Sequence, residues 1–247
     1  MKHKILIYTV LSLVTCALSA QDVAGRKVTW DYPVKTYTKE WEQLKTVQER
    51  RGICQMPADV LSSLSTEDLT DICMRYPLLI ADFIGTSHDR ALDSLFKNFN
   101  GVRELMKRKD AVKGLLHWYE NAIQNLSFLT GDASDIEKGR LTYKIIVAEL
   151  LLSHCQLSDD AQKDDYAKIV RILLNCYEKM PEYPESFGGY SFGANCYSRA
   201  KIISRIDASI YEKIPGGSNN QLFTRAEPDA QAMRVIDELS YKLIDEK

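Results

Sequence analysis

The chain has 247 residues, of which 45% are hydrophobic, 27% charged and 9% aromatic, a composition that buries a sizeable core and excludes intrinsic disorder. Lys and Arg number 32 against 34 Asp and Glu, so the formal net charge is -2 and the concentrated positive field of a nucleic-acid binder is absent. Twelve glycines and seven prolines make up about 8% of the chain, against roughly 12% in average usage, which points to helices rather than to a many-turned sheet.

Residues 1–20 have the form of a secretory signal: basic Lys2 and Lys4, an apolar run from Ile5 to Val14, and the small-residue end Ala17-Leu18-Ser19-Ala20. The run is too short for a permanent membrane span, and no later stretch reaches the roughly 18 apolar residues that a span needs. Cleavage after Ala20 leaves a chain starting at Gln21, with 30 Lys+Arg against 34 Asp+Glu. The alternative is lipid anchoring at Cys16. Thr15 stands before that cysteine, where a lipobox carries Gly, Ala or Ser, so soluble export to the periplasm or medium is the expectation.

Residues 21–38 (Val28, Trp30, Tyr32, Val34 and Tyr37, broken by Pro33) read as an extended arm lying against the body. A helix is predicted over about 39–50. Ser65 followed by Thr66-Glu67-Asp68 marks a helix start, and Leu69, Ile72, Cys73 and Tyr76 recur at helical spacing until Pro77. The next helix runs from Ser87 to Phe99, with Asn100-Gly101 as its C-cap. Further helices are expected over 110–130, 134–156 and 159–180, the last stopped by Pro181. One more is expected through Ile202, Ile206, Ile210 and Ile214, and a final one from near Pro228. The starts near 110, 134 and 159 are evenly spaced, but no repeat signature accompanies them. The fold expected for 21–247 is therefore one all-α domain, a helical bundle or short stack of helical hairpins with about seven to nine helices.

On the helix over 134–156, Asp135, Lys138, Thr142, Glu149, Ser153 and Gln156 collapse onto one narrow stripe at 100° per residue. Glu149 is thereby assigned to a polar face, which removes the basis for reading it as a buried general acid. His154 falls on the apolar side, as a core histidine with a hydrogen-bond partner; His88 sits at a helix start. His117 and Glu120, three apart, project away from their helix's apolar stripe. No second such pair exists, so no metal site or cofactor is expected.

Five cysteines remain beyond Cys16: Cys54, Cys73, Cys155, Cys176 and Cys196. Export permits disulfides, and Cys54 with Cys73 is the first pair to consider; the alternative is that all five are small buried hydrophobes. The sequence holds no GxSxG elbow, phosphate-cradling loop, HExxH or dinucleotide fingerprint, so no catalytic residue is nominated.

One segment gathers chemistry: 181–199, with Tyr183, Phe187, Tyr190, Phe192 and Tyr197 interleaved with Gly188, Gly189 and Gly193. Glycines admit a ligand close to the backbone and aromatic faces stack on sugars, so Tyr183, Phe187, Tyr190, Phe192, Asn195 and Arg199 form the candidate binding set. The competing reading makes Phe187, Tyr190 and Phe192 a plug at the end of the bundle. Cys196 beside Asn195, at the opening of a helix near Arg199, lacks a sequence-near histidine to activate it as a nucleophile.

The stretch Cys54-Gln55-Met56-Pro57-Ala58-Asp59-Val60-Leu61, followed by Leu64 to Leu69 and Cys73-Met74-Arg75-Tyr76-Pro77, resembles exported all-helical proteins of unknown function from Bacteroidetes-type bacteria. Asn98, Asn100-Gly101, Leu105, Lys107 and Arg108 extend the likeness to about residues 50–110. The resemblance implies an envelope or secreted location and a helical body, and it brings no catalytic residue. A non-enzymatic module for a glycan, peptide or envelope protein is the expected function. The rival is an envelope hydrolase or lyase with carboxylates from several helices, Glu182 or Glu185 among them.

Overall fold

Helix starts follow the local chemistry of the sequence. Ser65, Ser87 and Ser134 each take an extended backbone and accept a hydrogen bond from the backbone N–H three residues on, and Glu137 closes a capping box with Ser134. The computed structural model describes residues 30–83, 85, 87–157, 161–214 and 228–245. The signal-like segment with Cys16, and the connection 215–227, lie outside the described residues.

The described residues are all-α, in thirteen helices. They are α1 (Lys39–Gln43), α2 (Val47–Cys54), α3 (Ala58–Ser63), α4 (Thr66–Met74), α5 (Leu79–Asp82), α6 (His88–Asn98), α7 (Asn100–Leu105), α8 (Ala111–Gln124), α9 (Asp135–His154), α10 (Lys163–Lys179), α11 (Gly189–Ile203), α12 (Ile210–Lys213) and α13 (Ala230–Asp245). Two 3₁₀ turns, Leu126–Thr130 and Met180–Glu182, extend α8 and α10. The count exceeds the seven to nine expected because helices as short as α5 and α12 span about one turn, too little to show a period of 3.6. The isoleucine run from Ile202 to Ile214 is not one helix: it ends α11, turns, and resumes as α12.

Helix α9 is the centre. It packs against α8 and α11 and touches α5 and α6, while α10 and α13 close over α11, and α4 lies across α7 and α8. One buried apolar cluster runs from Tyr32 to Leu243. The described part of the arm contributes to it: Tyr32 is buried and donates its hydroxyl to the Ile72 carbonyl at 2.9 Å. Tyr37, five residues on, is 75% exposed and takes the left-handed backbone (φ 66°), with the Arg140 guanidinium over its ring at 5.3 Å. No described helix is long and apolar enough to cross a membrane.

The residues between 50 and 110 that stand out in the sequence are physical partners. Gln55 donates to the Asn98 carbonyl and accepts from the Asn100 backbone, and Asn100 exchanges both of its side-chain bonds with the Met56 backbone at 2.8 and 3.0 Å. Gly101 is not a C-cap but the second residue of α7. A Cβ there would lie 2.5 Å from the Phe99 ring, which stacks on Tyr76 at 4.1 Å. The expected Cys54–Cys73 bridge is absent. All five described cysteines are free and buried, and burial pushes the Cys54 thiol up to about 12. They fill the core as small hydrophobes.

Gly114 sets the approach of α8 to α4, since a Cβ would meet the Thr70 hydroxyl at 2.9 Å and the Thr66 methyl at 3.0 Å. Gly114→Ala is expected to destabilise the protein by about 1–2 kcal/mol despite alanine's better helix propensity. Gly52→Ala, in open space on α2, is expected to stabilise it by about 0.5 kcal/mol. Chemical denaturation of the two variants checks both signs.

Candidate functional site

The segment 181–199 is mostly not a connection. After the 3₁₀ turn at Met180–Glu182 the chain passes Tyr183 to Gly188 and enters α11 at Gly189, several residues before the opening expected near Cys196. Gly, Ser and Asn are weak helix formers, so propensity hides this helix; tertiary enclosure makes it, with every residue from Gly193 to Ala200 buried.

The six candidate binding residues therefore separate. Phe187 is buried at 2% exposure and is a plug. Phe192 is half-buried, edge-on to Tyr177 with ring centroids 5.4 Å apart. Tyr190 is half-buried beside His88, which is itself fully buried between the rings of Tyr190 and Tyr197 at 5.4 and 4.9 Å. Asn195 and Arg199 lie in the core. Tyr183 alone of the six lines one of the described grooves.

Asn195 and Arg199 belong to a buried polar network built on Glu149. The carboxylate oxygen Oε1 of Glu149 accepts from the Tyr119 hydroxyl of α8 at 2.5 Å and from Asn195 Nδ2 at 2.7 Å. Asn195 also donates to the Leu173 carbonyl of α10 and accepts from Arg199 Nε at 2.9 Å. Arg199 then reaches α13, donating to Ser240 Oγ at 2.9 Å and Asp237 Oδ1 at 2.7 Å, with its guanidinium 4.5 Å over the Tyr177 ring. Placing Glu149 on a polar face is thus no ground for setting aside a buried carboxyl. The stripe exists, but α9 is enclosed where Glu149 and Ser153 lie, and both are fully buried. Thr142 and Ser153 satisfy themselves on carbonyls of their own helix, at 3.2 and 2.7 Å, which leaves Glu149 to recruit partners from other helices.

Burial raises the Glu149 carboxyl to about 7, against the pull of the Tyr119 and Asn195 hydrogen bonds and the Arg199 charge. Its second oxygen, Oε2, has no partner among the described residues. Cys196, 3.2 Å from Arg199, is equally enclosed; burial pushes its thiol up to about 11, the opposite of the lowered value that activates a nucleophilic cysteine.

The open part of the segment lies outside this core. Glu182, Tyr183, Pro184, Glu185 and Ser186 form one wall of a groove of about 700 Å³, with Asp135, Lys138 and Gly139 of α9 opposite and Leu129 at one side. Three carboxylates, one ammonium and one half-buried phenol ring thus share a concavity of ordinary ligand size. His117 and Glu120 are exposed, and His117 faces Asn121 at 3.2 Å. Among the described residues no group of three or more His, Cys, Asp and Glu side chains is placed to hold a metal ion. No family model matches the chain, and comparisons with curated proteins and with solved structures returned no similar sequence or fold.

The raised carboxyl makes stability depend on pH in a definite direction. In the unfolded chain Glu149 ionises near 4.5, so between there and about 7 the folded state holds the extra proton. Its contribution is fully present below the lower value and is lost as pH rises through the upper one. Glu149→Gln is expected to lose up to about 2 kcal/mol less stability than the parent between pH 5 and 8. Thermal melts of the two proteins across that range check it.

Proposed function

We propose that this protein is an exported binding protein whose ligand is a glycan, held in the groove walled by Glu182 to Ser186. The single observation that carries the reading is the union of the Tyr183 ring with the carboxylates of Asp135, Glu182 and Glu185 in one groove of about 700 Å³. An aromatic face stacks on the C–H face of a sugar ring, and carboxylate oxygens accept from its hydroxyls. A basic peptide or an envelope protein would use the same carboxylates without needing the ring, which makes Tyr183 the discriminating residue. Export rests on the form of residues 1–20, and protein recovered from the periplasm or medium is expected to begin at Gln21.

The second reading is an envelope hydrolase or lyase at the same place, favoured by the presence of Glu182 and Glu185 together on one wall. Two carboxylates are the working pair of most glycoside hydrolases.

A glycan panel tests both readings. Tyr183→Ala is expected to weaken glycan binding about tenfold with an unchanged melting temperature, whereas Phe187→Ala, which empties a buried site, costs about 3–5 kcal/mol of stability. Binding that survives Tyr183→Ala at full strength overturns the glycan reading. New reducing or unsaturated sugar ends that appear with the parent protein and vanish in Glu182→Gln or Glu185→Gln establish the enzyme instead.

A further inference from the structure

Helix α11 carries a second polar system on the face opposite Asn195 and Arg199. Tyr190, Tyr197 and Lys201, seven and four residues apart, share one side of the helix, while Asn195 and Arg199 occupy the other. On that side the C-terminus of α9 and the N-terminus of α6 meet. Asp89 Oδ1 accepts from the Tyr197 hydroxyl at 2.7 Å and from Lys201 Nζ at 2.9 Å, and lies 2.9 Å from His154 Nε2. His154 Nδ1 sits 2.8 Å from the Leu150 carbonyl and therefore carries the hydrogen, leaving Nε2 to accept from Lys201 at 2.5 Å. Burial and the adjacent Lys201 ammonium hold the imidazole below its ordinary value. Burial works to raise the Asp89 carboxyl, but the bonds from Lys201 and Tyr197 and the Lys201 charge outweigh it and hold the group well below the usual carboxylate range.

His154 also forms one end of a groove of about 690 Å³ that the Tyr183 site does not share. Lys107, Arg108 and Lys109 line it beside the apolar Phe96, Met106 and Leu157, with no carboxylate among the described lining residues. Arg108 is fixed by the Leu61 and Leu64 carbonyls at 2.6 and 2.7 Å and pairs with Glu104 at 3.9 Å, while Lys107 and Lys109 make no ion pair among the described residues. The carbonyls at the end of α9, which would repel an anion, are covered: Arg205 donates to Ser153 O and Cys155 O at 2.6 and 2.5 Å. Concave shape, concentrated cations and an apolar wall are thus combined with a neutral imidazole able to gain a proton.

We infer that this groove binds an oxyanion carried on a short apolar chain, and that His154 takes up a proton as the anion enters. The groups facing the imidazole are Asp89 from α6 and Lys201 from α11, with Tyr197 bonded to Asp89; Arg205 covers the carbonyls on either side of His154, and Lys107, Arg108 and Lys109 line the same groove. An entering anion offsets these cations, and protonated Nε2 donates to Asp89, which keeps Lys201 and Tyr197 as its other partners. The free histidine is neutral and the bound one charged, so affinity rises as pH falls through the histidine range.

The probe is butanesulfonate, whose charge is constant between pH 5 and 8, with sulfate as the chain-free comparison, added to the full-length protein and followed by titration calorimetry. The expected result is measurable binding that is stronger for butanesulfonate than for sulfate and several-fold tighter at pH 5.5 than at 7.5. Proton uptake should appear when buffers of different ionisation enthalpy are compared. Lys107→Ala with Lys109→Ala should weaken binding at least tenfold at an unchanged melting temperature. His154→Gln should retain binding and lose its pH dependence. No binding by the parent protein, or affinity unmoved by the double lysine substitution, overturns the site; pH dependence that persists in His154→Gln overturns the role of the histidine. Because Tyr183 lies on a different groove, Tyr183→Ala should leave this binding intact, so the two proposals fail separately.

Discussion

The arrangement of the helices depends on one buried polar chain, running from Tyr119 through Glu149, Asn195 and Arg199 to Asp237 and Ser240. It ties α8, α9, α11 and α13 together, and through the Leu173 carbonyl it takes in α10. Apolar contact between these helices is non-directional and would tolerate a helix turned or slid by part of a turn. The hydrogen bonds do not, because an unmatched buried carboxylate or guanidinium costs several kcal/mol. The network therefore fixes register, while the isoleucines, leucines and buried cysteines around it supply most of the burial energy. Glu149 Oε2 and Ser198 Oγ, both without partners among the described residues, mark where the matching is incomplete.

Enclosing α11 has a consequence for the surface. A helix buried from Gly193 to Ala200 needs a rigid approach, and Phe187 provides it by inserting just before the helix begins. With Phe187 inside, the residues before it are forced outward, so Glu182, Pro184 and Glu185 are exposed and Tyr183 is left half-buried against the groove. The plug and the binding wall are thus not alternatives. They are consecutive parts of one segment, and the first positions the second.

Local signals in the sequence translated faithfully: the serine N-caps and the positions of Leu69, Ile72, Cys73 and Tyr76 are all where periodicity puts them. The failures are of another kind. Helical geometry places Glu149 on a stripe with Thr142 and Ser153, but whether a stripe meets water or another helix is decided by elements far along the chain. Asn195, 46 residues away, is what meets it. Helix α11 was hidden for the same reason, since Gly189, Ser191, Gly193, Asn195 and Ser198 form a helix only because neighbours enclose them. His154 was legible as a partnered histidine, yet its partners Asp89 and Lys201 lie 65 and 47 residues away and leave no local trace. The candidate binding set likewise mixed two environments, because composition alone cannot separate an aromatic that plugs from one that lines.

The two grooves stand at opposite ends of α9, one against Asp135, Lys138 and Gly139 and the other at His154. A helix of 20 residues rising 1.5 Å per residue separates its ends by roughly 30 Å, more than three screening lengths at physiological ionic strength. A charge gained at His154 is therefore not felt through solvent at Glu182 or Glu185. Any coupling between the ends has to pass along α9 and α11, which Glu149, in the C-terminal part of α9, and Asn195, near the middle of α11, join at 2.7 Å. The directional bonds to Tyr119 and Asn195 therefore hold α9 between its N-terminal groove and His154, and a displacement at either end works against them. The same buried contact that sets the register of the bundle thus makes its two ends independent surfaces, and each can be read by its own chemistry.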